Sequence, residues 1–130
     1  MPSFAKPTTL VLLLGFFCGP ALADNEGQDD LDKATEARLS ARTLSDIGEV
    51  IDLLESALDK GLDEGNTAYA KSLLSSTLTY RGIAVAEVLF EQSPPNPAWP
   101  QMRDLGLGDL ERSLKLNPTQ PEALYYVARL

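Results

Sequence analysis

Histidine is absent from this 130-residue sequence, and cysteine occurs once, as Cys18. The first absence removes the commonest acid-base group near neutral pH and, with it, the usual nitrogen ligand of zinc. The second leaves no disulfide framework and no thiol nucleophile once Cys18 is lost with the segment that carries it. Beyond residue 23 there is also no Gly-x-Ser-x-Gly elbow, no Ser-x-x-Lys pair, no phosphate loop and no dinucleotide fingerprint. Positive charge is scarce too: 11 Lys and Arg stand against 19 Asp and Glu, a net charge of -8. That balance argues against nucleic acid and anionic membrane surfaces as partners. The chain therefore reads as non-enzymatic, with no catalytic, cofactor-binding or metal-binding residue assigned.

Long apolar runs are equally few. One stands at the start, where Lys6 precedes Leu10 to Cys18, followed by Gly19, Pro20 and the small residues Ala21 and Ala23. A basic end, a short apolar helix and an Ala-Leu-Ala site together predict a secretory signal peptide over 1–23, cleaved after Ala23. The run is about half of the roughly 20 residues that span a bilayer, so no transmembrane anchor is expected after its removal. Acylation of Cys18 would need small residues where Phe16 and Phe17 stand. The expected destination is the periplasm or the exterior. Loss of Lys6 takes the mature net charge from -8 to -9.

Residues 24–32, DNEGQDDLD, read as an acidic, flexible leader. They lack the alternating ligands and following glycine of a calcium loop. The rest, 33–130, is expected to form one all-α domain. A weak helical pattern runs from about Asp29 to Ala41, with Leu31, Ala34, Arg38 and Ala41 on one side. Thr43 caps a second helix with Asp46 at its third position, a short form of the capping box. Ile47, Val50, Ile51, Leu54, Ala57 and Leu58 make its apolar stripe, and Lys60-Gly61 ends it. Asn66 is expected to cap a third helix reaching about Phe90, with Ala70, Leu74, Thr77, Leu78, Arg81, Val85, Val88 and Leu89 inward. Gly82, costly inside a helix by about 1 kcal/mol, predicts a close approach by a neighbour. The prolines of SPPNPAWP stop that helix, and Pro97 or Pro100 starts a fourth. It runs to about Leu116 with Met102, Gly106, Leu110, Ser113 and Leu114 inward. Pro121 opens a fifth.

Leu54, Glu55, Ala57 and Leu58 repeat as Leu110, Glu111, Ser113 and Leu114 at an offset of 56, which Tyr69 and Tyr125 share. The segment GDLERSLKLNPTQPEALYYVARL resembles the tetratricopeptide repeat. Gly106, Leu110, Ser113 and Pro118 take its signature places, and Leu124, Val127 and Ala128 take those of the following helix. LTYRGIAV looks like the middle of an earlier first helix, with Gly82 at the small place. The resemblance is strong over about the last 25 residues and loose from Leu44 to Gln101. It implies antiparallel helix hairpins stacked as a short, irregular α-solenoid, incomplete at its C-terminal end. It also implies a groove for a protein or peptide partner. The groove-facing places are Ser76, Thr79, Ile83 and Ala86 on one first helix and Glu122, Tyr125 and Arg129 on the next. Lys and Asn, which grip a carboxylate tail in such domains, are missing from these places.

The remaining polar features read as structural. Glu87 and Glu91 are neighbours on a wet helix face, and Ser72, Ser75 and Ser76 form a polar face. Trp99 is either a stacking residue or, more simply, an apolar lid over the adjacent helix pair. The leading function is an interaction scaffold outside the cytoplasm. Two alternatives stand beside it: the docking module of a longer exported enzyme of thioredoxin-like or peptidase type, and a helical bundle holding an apolar ligand.

Overall fold

A computed structural model describes residues 25–92 and 96–130; the expected signal peptide and its cleavage residues Ala21 and Ala23 lie outside them. The described chain folds into five helices: α1 (Gln28–Ser40), α2 (Leu44–Lys60), α3 (Glu64–Glu91), α4 (Trp99–Leu116) and α5 (Pro121–Arg129). No strand occurs among the described residues. The all-α arrangement of stacked antiparallel hairpins is the expected one.

Local chemistry sets the boundaries. Thr43 and Asp46 form a reciprocal capping box at the start of α2: the Thr43 hydroxyl accepts from Asp46 N–H, and the Asp46 carboxylate accepts from Thr43 N–H at 2.9 Å. Two backbone N–H groups, those of Arg42 and Thr43, hold the Asp46 carboxyl below the usual aspartate range. Gly61 ends α2 at φ 102, a left-handed conformation that a side chain would strain. Asp63 rather than Asn66 caps α3: its carboxylate accepts from Asn66 N–H and from the Asn66 side-chain amide, so the helix starts at Glu64. Pro100 stands in the first turn of α4, where its missing N–H costs nothing.

The acidic leader also proves to be structural over its second half. Helix α1 starts at Gln28, and both Asp30 and Leu31 are buried. Asp30 accepts hydrogen bonds from Lys60 and Ser56, each at 2.6 Å, across the α1–α2 hairpin. These bonds outweigh the burial that would raise its pKa, and the Asp30 carboxyl titrates below its ordinary value. Gly27 lies so close to α2 that an added Cβ would fall 2.0 Å from the Ala57 carbonyl oxygen, and its N–H donates to Gly61 O.

Each helix packs against the next in sequence, and α5 also packs on α3. Helix α3 is the axis of the fold. Its first half shares a core with α1 and α2, built from Leu31, Ala34, Ile47, Val50, Ile51, Leu54, Ala57, Ala70, Leu74 and Leu78. Its second half buries Gly82, Val85 and Ala86 in the region of Gly106, Leu110 and Ala123. Between these halves nearly every side chain from Leu74 to Thr79 is buried, with Ser76 the exception, because α2 and α4 both lean on the same stretch. Among the described residues α3 alone is long and apolar enough to cross a bilayer by length and composition. Here that character is used against α2, α4 and α5.

The crossing of α3 and α4 is as tight as Gly82 predicts. A Cβ on Gly82 would meet Leu110 Cδ2 at 2.9 Å and Gly106 O at 3.0 Å, and one on Gly106 would meet Val85 Cγ1 at 3.1 Å. Beside this crossing Arg81 makes a two-pronged ion pair with buried Asp109, Nε to Oδ2 at 2.6 Å and Nη2 to Oδ1 at 2.8 Å. The pair raises the Arg81 pKa further above its already high value. On the opposite layer Arg112 of α4 pairs with Glu55 of α2. Arg38 lies over Tyr80, linking α1 to α3, and Tyr126 reaches Glu87, linking α5 to α3. The odd-numbered helices thus form one layer and the even-numbered helices the other.

Candidate partner groove

The layer of α1, α3 and α5 is concave. Its trough encloses about 470 Å³ and is walled by Arg38 of α1, by Ser76, Thr79, Tyr80, Ile83, Ala84 and Glu87 of α3, and by Gln120 and Glu122 where α5 begins. About three turns of α3 supply this wall, because positions 76, 80, 83 and 87 step by four, three and four along one helical stripe.

Beneath the stripe the floor is a closed polar cluster. The Ser113 hydroxyl donates to Ser75 O at 2.7 Å and accepts from the Gln120 side-chain amide at 2.9 Å. The same amide donates to Ser75 Oγ at 2.9 Å. Thr79 Oγ1 lies 2.6 Å from Ser113 Oγ and 3.0 Å from Gln120 Oε1. Ser75, Thr79 and Ser113 are buried, and such groups are stable inside a protein only when partnered. Ser75 is therefore part of the interior and not of an exposed polar face, while Ser76 remains exposed.

The expected groove residues divide into two sets. Ser76, Thr79, Ile83 and Glu122 come together in the trough. Ala86 does not: it is fully buried and offers no surface. Tyr125 and Arg129 point elsewhere. Tyr125 is half exposed, packs edge-on against Tyr126 and accepts a hydrogen bond from Arg129, whose guanidinium lies 4.0 Å over the Phe90 ring. Arg38, Tyr80, Ala84, Glu87 and Gln120 complete the trough without having been assigned to it. The missed signal is the 76–80–83–87 stripe, which shares Ser76 and Ile83 with the 76–79–83–86 alignment implied by the resemblance and adds Tyr80 and Glu87.

A second cleft of about 400 Å³ lies at the far end of α3, between Leu89, Phe90, Trp99, Pro100, Arg103, Asp104, Arg129 and Leu130. Trp99 folds back against the end of α3 here, as a lid would, and its indole N–H donates to the Gln92 side chain at 2.9 Å. Glu87 and Glu91 are both exposed, and the Tyr126 hydroxyl donates to Glu87 Oε1 at 3.0 Å. No group of three or more metal-ligating side chains occurs among the described residues.

No family model, curated protein or solved structure matches this chain.

Proposed function

We propose that this protein is a non-catalytic interaction scaffold of tetratricopeptide type, acting outside the cytoplasm, that holds a segment of another protein in the trough of α1, α3 and α5. One observation carries the reading. Three helices from separate parts of the chain converge on a concave surface whose floor is already hydrogen-bonded internally, leaving Tyr80, Ile83 and the rim charges for an incoming chain. A surface whose walls need no rearrangement loses little free energy to ordering on binding.

Site-specific photo-crosslinking in the native cells tests the proposal. A photoreactive amino acid at Tyr80 should give discrete protein adducts, and the same group at Glu49, exposed on α2, should not. Equal labelling from both positions would reject the trough as the binding surface.

The docking-module reading draws on a different feature. Leu124 and Tyr125 of α5 are 52% and 54% exposed, a large apolar area for one short helix. In that reading a further segment of the same polypeptide covers them, and the mature protein isolated from its own cells is longer than the described chain.

A further inference from the structure

Charge is distributed unevenly along the trough. On its α1 side the Arg38 guanidinium lies 5.1 Å from the centroid of the Tyr80 ring. On its α5 side stand Glu87 and Glu122, and neither belongs to an ion pair among the described residues. Glu87 is held in place by the Tyr126 hydroxyl. That hydrogen bond, with burial and the negative charge of both carboxylates, keeps the phenol protonated to higher pH than usual. Both carboxylates line the same trough, with an aromatic ring that is 53% exposed at Tyr80 and the apolar side chains of Ile83 and Ala84.

Resting on the partner-binding reading above, we propose that the trough takes an extended polypeptide segment whose lysine or arginine side chain seats between Glu87 and Glu122, with adjoining residues lying over Tyr80 and Ile83. A cation there forms ion pairs with both carboxylates, of which Glu87 otherwise accepts from the neutral Tyr126 hydroxyl. The net negative charge draws basic segments in from a distance, and Arg38 repels a cation from the opposite end, so the basic side chain is directed to the Glu87 and Glu122 end. The volume of about 470 Å³ exceeds what one side chain fills, which favours a chain over a small cation.

Panning the purified protein against random peptides displayed on phage provides the probe. Enriched peptides should carry Lys or Arg at one fixed position. Fluorescence anisotropy with the synthetic peptides should show a loss of about tenfold or more for the Glu87→Gln, Glu122→Gln double variant. The salt dependence of binding should weaken with it. Glutamine keeps an acceptor for Tyr126, and thermal melts followed by circular dichroism establish that the variant is folded.

Peptides without a basic position, bound equally by the glutamine variant but lost with Tyr80→Ser and Ile83→Asp, would overturn the cation seat and leave the trough standing. Absence of enriched peptides, or peptides indifferent to all four substitutions, would overturn both readings. Displacement of a bound peptide by spermine as readily as by the unlabelled peptide would also overturn the proposal, assigning the site to a small polyamine.

Discussion

Gly82 and Leu110 meet so closely that a Cβ on Gly82 would fall 2.6 Å from Leu110 Cγ. Leu110 is fully buried and has nowhere to retreat. Alanine normally stabilises a helix interior over glycine by about 1 kcal/mol. Here the clash reverses the sign, and Gly82→Ala should destabilise by about 1–3 kcal/mol. Gly108→Ala, two residues past Gly106 on α4, is the control: its Cβ meets nothing within 4 Å, so stability should rise by up to about 1 kcal/mol. Urea midpoints separate the two, and a more stable Gly82→Ala protein would mean that α3 and α4 are free to move apart.

The Arg81–Asp109 pair makes a second prediction. The side chains are 16% and 3% exposed, so removal of Asp109 strands a guanidinium that reaches water only in part. Asp109→Ala should cost about 2–4 kcal/mol. Arg81→Met with Asp109→Leu, which removes both charges and keeps the volume, should cost much less than the two single changes added together. A double-mutant cycle with zero coupling would mean that the two groups do not interact in solution.

Acid stability supplies a third. Asp30 and Asp46 both have depressed pKa values in the folded protein, held down by Lys60 and Ser56 in one case and by the N–H groups of Arg42 and Thr43 in the other. The sign follows: their stabilisation is fully present above the unfolded aspartate value of about 3.9 and is lost as pH falls through the lower folded values. Asp30→Asn and Asp46→Asn should therefore be less stable than the natural sequence at pH 7, and the gap should narrow below about pH 4. Denaturation curves across pH 7 to about 2 measure it. A gap that stays constant over that range would mean that neither carboxylate carries a depressed pKa.

Those carboxylates also mark where sequence reasoning falls short. The α2 stripe from Ile47 to Ala57, its Thr43 cap and the close approach at Gly82 were legible because each depends on neighbours in the chain or on one residue's own geometry. Asp30 was not, since its burial depends on Lys60 reaching back from another helix. Composition made an acidic run look solvated, whereas one member of it is a structural anion. Asp109 was missed for the same reason: nothing local to GDLER announces Arg81. In the trough, Ser76, Ile83 and Glu122 were legible from the repeat pattern. Tyr80 and Glu87 were not, because the direction of the open face of α3 is set by where α1 and α5 stand. Gln120 lies in a turn, where no periodicity distinguishes it, and its role depends on partners on α3 and α4.

The hydroxyl cluster under the trough has a mechanical consequence. Apolar side chains can slip past one another with modest loss, but Ser75, Thr79, Ser113 and Gln120 find partners at only one setting of α4 along α3. A slide of one helical turn, about 5.4 Å, would leave these groups unpaired at about 1–3 kcal/mol each. The cluster thus fixes the axial register of the two helices, and with it the pitch of the curved face above. Substitutions that alter the charge of this face are best tolerated on the rim, where Arg38, Glu87 and Glu122 stand, because changes to the floor would alter the curvature itself.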